Sequence, residues 1–189
     1  MAGLRAATWP AHQRLERRID FRSRLASVAS YRTHLESMWG FYAELEPRLR
    51  AVIYPKHLAD YEQRLKLPLL ERDLRSLGLA DAALGQLPRC TLALQCADPA
   101  AAFGSAYVLE GATLGGRSLM PSVEARLGLS AGHGAAFLAS YGAAVGEMWR
   151  SFAGALERYC SGAQQQARAA SAAIETFTQL EAWLCGANV

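Results

Sequence analysis

The chain has 189 residues, 51% hydrophobic and 20% charged, with a formal net charge of +3. That balance excludes a disordered or fibrous chain and suits one globular domain over residues 1–189, because domains run at roughly 100–200 residues. Charge-free stretches such as 127–146 are broken by Gly, Ser and His, so no membrane-spanning helix is expected; the start, Met1-Ala-Gly-Leu-Arg5, lacks the apolar run of a signal peptide, and a cytoplasmic location is expected.

The charge is uneven: residues 1–95 hold 15 Lys+Arg against 10 Asp+Glu, and residues 96–189 hold 5 against 7. Only Lys56 and Lys66 are lysines, so the basic first half is arginine, which suits an anionic ligand, an acidic partner or simply a solvated surface. No nucleic-acid recognition motif accompanies it, so no nucleic-acid partner is expected. Cys90, Cys96, Cys160 and Cys185 have no zinc spacing and are expected as reduced thiols.

In chain order, the elements read as helices. A first helix carries Leu4-Arg-Ala-Ala-Thr-Trp-Pro-Ala-His-Gln-Arg-Leu-Glu16. Ser30 is expected to cap a second, whose apolar stripe is Tyr31, Leu35, Met38, Tyr42, Leu45 and Leu49, with Pro47 kinking or stopping it. Pro68 opens a segment with Leu70, Leu74 and Leu77 that stops at Gly78. Residues 90–96 alternate but have no partner strand, and an ordered loop is expected there. Asp98-Pro99 caps a helix running to about 118, and further helices are expected over about 134–159 and 164–183. The expected fold class is all-α, a single-domain helical bundle.

Two segments carry chemistry. On the first helix His12 and Glu16 lie one turn apart on one face, an arrangement in which a carboxylate steadies the second nitrogen of a ligating imidazole. A satisfied surface pair is the plainer reading. Arg5 lies two turns before His12, about 10 Å along the axis. The second segment is Gly104-Ser-Ala-Tyr-Val-Leu-Glu-Gly-Ala-Thr-Leu-Gly-Gly-Arg-Ser-Leu119. Each interior glycine costs a helix about 1 kcal/mol, so Gly111, Gly115 and Gly116 imply either close helix packing or a ligand against bare backbone. The remaining histidines, His34, His57 and His133, read as surface or loop residues; Glu44 and Glu46 lack the spacing of a di-iron site.

Together the two segments resemble the haem oxygenases, particularly the bacterial biliverdin-forming enzymes associated with phytochromes. Leu4–Glu16 is similar to the family's proximal helix and Tyr107-Val-Leu-Glu-Gly-Ala-Thr-Leu-Gly-Gly116 to its distal helix. Weaker similarity continues through 70–78, Ser140-Tyr-Gly142, Met148-Trp-Arg-Ser-Phe152 and the last helix. The resemblance implies that haem is sandwiched between the two helices as substrate and cofactor. His12 would be the iron ligand with Glu16 beside it, and dioxygen would bind beneath Gly111, Gly115 and Gly116. It also assigns Arg5 and Arg150 to the haem propionates, Phe177 to a haem contact, and Thr8 and Tyr107 to the same pocket.

Two positions depart from the family pattern. Ala112 stands where the animal enzymes carry a water-ordering aspartate, and Pro10 removes a backbone hydrogen bond in the proximal helix, bending it before His12 or delaying its start. The resemblance implies cleavage of haem to biliverdin, iron and carbon monoxide. With no flavin, nicotinamide or iron–sulfur fingerprint in the chain, electrons are expected from an external ferredoxin or flavoprotein reductase, and the bilin is available to a bacteriophytochrome. The other readings are a non-catalytic haem- or biliverdin-binding protein of the same fold and, as a different class, a helical thiamin-pyrimidine hydrolase, for which no cysteine here lies in a matching segment.

Overall fold

The computed structural model describes residues 1–91, 93 and 98–186; within them it is all helical, with no β-strand. The helices are α1 (Ala2–Arg18), α2 (Phe21–Arg24), α3 (Val28–Ile53), α4 (Leu67–Ser76), α5 (Asp81–Leu84), α6 (Pro99–Leu127), α7 (Ala136–Ala139), α8 (Val145–Tyr159) and α9 (Ala163–Cys185), with 3-10 turns at Tyr61–Arg64 and Gly142–Ala144. None is long and apolar enough to cross a membrane. The loop expected at 90–96 falls largely outside the described residues, as does Cys96; Cys90, at its start, donates its backbone N–H to Gly40 O at 3.1 Å.

Local chemistry explains most ends. Asp98 caps α6 by accepting from the N–H groups of Ala100 and Ala101, with Pro99 in the first turn as expected. At α3 the expectation is corrected by one turn. Ser27 is the cap and Ser30 completes a capping box: Ser27 Oγ accepts from Ser30 N at 3.1 Å, and Ser30 Oγ accepts from Ser27 N at 3.0 Å. Pro47 does not stop α3, which runs on to Ile53. Nor does Pro10 delay α1, which starts at Ala2. Both prolines are exposed, so the carbonyls they leave without a helical partner lie on the wet side of their helices.

Two further expectations fail for backbone reasons. Helix α6 passes 118 and an exposed Pro121 to reach Leu127, where Gly128 at φ +67° closes it and donates its N–H to Glu124 O. The single helix expected over 134–159 is broken into α7, a 3-10 turn and α8, because Ser140 and Gly142 adopt positive φ values of 46° and 55°.

The long helices α3, α6 and α9 hold the core, which includes Leu35, Phe41, Leu45, Phe103, Phe152 and Ala173, all fully buried. Helix α9 packs on both α1 and α6. Gly104 makes the second contact possible: a Cβ there would overlap the carbonyl oxygen of Ala169 and lie 2.9 Å from its Cα. Arg14 and Arg18 fasten α1 to α9 through Glu181, at 2.6 and 2.9 Å. The gap left between α1 and α6 is the site.

Candidate functional site

Helices α1 and α6 form two walls of a cavity of about 960 Å³, at the upper end of the roughly 300–1,000 Å³ typical of small-molecule and cofactor sites. The structure brings Arg5, Thr8, His12, Glu16, Tyr107, Gly111, Ala112, Gly115, Gly116 and Phe177 into its lining. Arg150 is the exception: it is exposed on α8, not in the lining, and its guanidinium folds back toward Gly146 of its own helix.

His12 is held as a plane. Trp9, one turn earlier, stacks on it at 5.6 Å and 17°, and Phe177 of α9 meets it edge-on at 5.5 Å. Its Nδ1 is covered and has no hydrogen-bond partner, lying 3.5 Å from Glu16 Oε2. That is beyond a direct bond, yet Glu16 is exposed and a small rotation of its carboxylate closes the gap. The side chain as a whole is 39% exposed, so the open part of the ring is the part away from Nδ1. Thr8 is buried, its hydroxyl donating to Leu4 O at 2.9 Å, so it shapes the wall rather than presenting a polar group.

The glycines of α6 divide between the two explanations that spacing leaves open. Gly116 is a packing glycine: a Cβ there would lie 2.9 Å from Leu138 O of α7. At Gly115 a Cβ would meet nothing within 4 Å, and at Gly111 only Trp149 Cζ3, at 4.0 Å. These two leave bare helix backbone facing the cavity.

Behind α6 the chemistry reverses. Glu110 is buried and accepts from Tyr141 OH at one oxygen and from Arg64 Nη1 at the other, each at 2.7 Å. Arg64 also forks onto Asp60, and Lys66 donates to Tyr141 OH at 2.7 Å. Glu46 accepts the backbone N–H groups of Lys66 and Leu67 at 2.6 and 3.1 Å; burial pushes its carboxyl up to about 7 against those bonds. A similar device builds the adjoining wall. Asp73 of α4 accepts from Ala136 N and Phe137 N at 2.8 and 2.7 Å, fixing the short α7 whose Phe137 and Leu138 line the cavity.

Sequence reasoning missed several lining residues. Trp9 is 45% exposed yet stacks on His12, a contact readable from its place one turn before. His34 is not a surface histidine: it is 5% exposed and lines the cavity with Met38, which lies one turn on in the apolar stripe. That i, i+4 relation was the available signal. His57 meets Tyr159 edge-on at 4.8 Å and His133 is exposed in a loop; neither lines the cavity. Cys90 and Cys160 are buried free thiols, and Cys185 is partly buried. Among the described residues no group of three or more His, Cys, Asp and Glu is placed to hold a metal ion.

Comparison with known proteins yields two matches of note. A family model described as heme oxygenase matches residues 1–185. Among solved structures, the NO- and CO-bound heme oxygenase from Neisseria meningitidis is similar in fold, with a TM-score of 0.76 and 21% identity over 97% of this chain and 88% of that one. No curated protein sequence matches the chain.

Proposed function

The chain belongs to the haem oxygenase family, a family of haem-degrading enzymes, and from that premise we propose that it opens haem to biliverdin, iron and carbon monoxide with dioxygen and electrons from a separate ferredoxin or flavoprotein reductase. The observation that carries this reading is His12, whose Nδ1 is covered and without a partner, in a cavity whose other wall is bare glycine backbone. The residues fit the group. An imidazole with one nitrogen beside a carboxylate is the arrangement of a metal-ligating histidine, and Gly111 and Gly115 leave free the space a Cβ would fill.

When bound, haem supplies both the iron that activates dioxygen and the ring that is oxidised. His12 offers Nε2 to the iron while Glu16 steadies Nδ1–H, and a neutral imidazole avoids the O–O cleavage that a thiolate promotes. Trp9 and Phe177 hold the imidazole plane. Arg5 stands at the open end of the cavity with no carboxylate partner among the described residues and takes the propionate charge there. On the oxygen side Gly111 and Gly115 let the peptide groups of α6 come close. Ala112 and Leu114 offer no proton donor, so protons would come through water held by those peptide groups or from the hydroxyls of Tyr107 and Ser118 in the same lining. The bilin so formed is available to a bacteriophytochrome.

The test is spectroscopic. Haemin added to the protein is expected to give an imidazole-ligated Soret band that decays into a bilin band on adding a reductase system; a Soret band that persists under turnover conditions indicates a carrier instead. His12→Ala is expected to lose axial ligation and nearly all turnover. Imidazole ligation surviving in that variant without added imidazole assigns the iron to another histidine.

A further inference from the structure

The cavity runs along α1 on both sides of His12. Arg5 precedes His12 by seven residues, about 10 Å along α1, and Ile19, just past the end of that helix, lines the cavity on the other side. The two ends differ. Arg5 and Trp9 are exposed, whereas the far end is closed by Ile19, His34, Met38, Leu180 and Leu184, all buried. His34 is the polar group among these five. Arg24 Nη1 lies 3.0 Å from its Nδ1, and the same guanidinium donates to Leu184 O at 2.6 Å, tying α2 to the end of α9. Phe21 meets the imidazole edge-on at 5.9 Å.

A guanidinium can only donate, so Nδ1 accepts and the ring proton sits on Nε2. Burial, with Arg24 adding to it, lowers the pKa of His34 to about 3, so the ring stays neutral. Among the described residues no group accepts from Nε2, and His34, 5% exposed, lines the cavity. Nε2 is not sealed from solvent as His12 Nδ1 is, so it keeps access to the cavity, where a ligand that brings an acceptor can take its hydrogen bond.

Closed-ring haem does not bring one. Its charged carboxylates belong at the open end beside Arg5, since burying them at an apolar end is costly. Its remaining edges are hydrocarbon. An open-chain tetrapyrrole differs there, because ring opening leaves a lactam carbonyl oxygen on each of the two ends where the ring was broken. We propose that His34 recognises the opened tetrapyrrole, its Nε2–H donating to a terminal lactam oxygen at the closed end of the cavity. The donor is idle against the closed ring and satisfied against the opened one, so it discriminates product from substrate and marks the edge facing His34 as the one that opens. This inference rests on the haem-degrading reading of the same cavity.

The probes are biliverdin and zinc protoporphyrin IX, an open and a closed tetrapyrrole, titrated by tryptophan fluorescence quenching into the wild type, His34→Phe and His34→Gln. His34→Phe is expected to weaken biliverdin about five- to tenfold and zinc protoporphyrin IX by less than twofold. His34→Gln is expected to recover most of the loss, because an amide can accept from Arg24 and still donate into the cavity. Equal losses for the two probes, or no loss for either, overturn the proposal. A second measurement needs no variant: in the wild type the imidazole Nε2–H signal of His34 is expected to move downfield with biliverdin and stay in place with zinc protoporphyrin IX. A signal that does not move with biliverdin overturns the proposal and leaves the haem reading standing. Failure of both tetrapyrroles to bind the wild type removes that reading itself, and this one with it.

Discussion

The two faces of α6 are opposite in chemistry. The cavity face presents Gly111, Ala112, Leu114 and Gly115 and no charged side chain, Tyr107 and Ser118 being its polar groups. The rear face buries Glu110 among the charges of Arg64, Asp60 and Lys66 and the hydroxyl of Tyr141. Contact with other backbones also fixes the helix, through Gly104 against Ala169 and Gly116 against Leu138. The difference teaches how a helix weakened by glycine holds its position: anchors behind and at the ends set its place, so the cavity face can stay bare and let a ligand approach the peptide groups.

Glycine substitution breaks that comparison most directly. Gly104→Ala forces a methyl into the Ala169 carbonyl, and neither backbone can yield without separating α6 from α9. We expect a loss of about 3 kcal/mol or failure to fold. Gly115→Ala meets nothing and gains helix propensity, so it is expected to stabilise by about 0.5–1 kcal/mol. Urea denaturation of the two variants reads the contrast, and equal destabilisation would mean that Gly115 is also a packing glycine.

Function sharpens the same contrast. Gly115→Leu is expected to leave the fold within about 1 kcal/mol of wild type while filling the oxygen side of the cavity, so haemin still binds and bilin formation drops at least tenfold. The checks are the Soret band and the rate of bilin appearance. Unchanged yield would place the reacting face of haem elsewhere.

The rear face yields a pH dependence. Burial raises the Glu46 carboxyl to about 7, above its ordinary value near 4.5, so the folded state holds this proton more tightly than the unfolded chain. Stability from this group is therefore complete below about pH 4.5 and is lost as pH rises to about 7, by about 1–3 kcal/mol. Lys66, lowered by burial to about 8, acts only above that pH and with the opposite trend, stability rising toward pH 10.5 while the unfolded chain keeps a proton that the folded state has lost. Denaturation at pH 5 and pH 7 is expected to show this decline in the wild type and a flatter profile in Glu46→Gln.

How much of this was legible in the sequence follows physical lines. The apolar stripe of α3, Asp98-Pro99 at the head of α6 and the His12–Glu16 turn are local signals, and each appears in the structure. Two serines, Ser27 and Ser30, compete for one cap, and composition does not say which adopts the extended backbone. Pro121 is tolerated because it falls on an exposed side of α6, and Ser140 breaks the expected long helix through a backbone angle that periodicity does not encode. His34 escapes a sequence reading for a related reason: the groups packed on it, Phe21 and Arg24, lie off its own helix. Asp73 was invisible as a site-builder because the N–H groups it holds lie 63 and 64 residues away.

The smallest effect tests the open end of the cavity. Helix α1 carries several arginines, of which Arg14 and Arg18 are fixed on Glu181, while Arg5 lines the cavity with no carboxylate partner among the described residues. Its place two turns before His12 sets it about 10 Å from the imidazole along the axis, roughly the reach from a porphyrin centre to its carboxylate edge. A guanidinium holds a carboxylate through two parallel bonds, which fixes rotation of the ring as well as adding affinity. Water screens an exposed pair, so the contribution is about 1 kcal/mol, a loss of about fivefold in haemin affinity for Arg5→Ala. Rotation responds more sensitively than affinity, and a mixture of bilin isomers is expected from the same variant. Arg150 was expected to share this work, but it points along its own helix outside the lining, so Arg150→Ala should leave affinity and isomer unchanged and the double variant should match Arg5→Ala. Chromatography of the bilins with haemin titration separates these outcomes: wild-type isomer and affinity in Arg5→Ala would show that the open end does not seat the propionates.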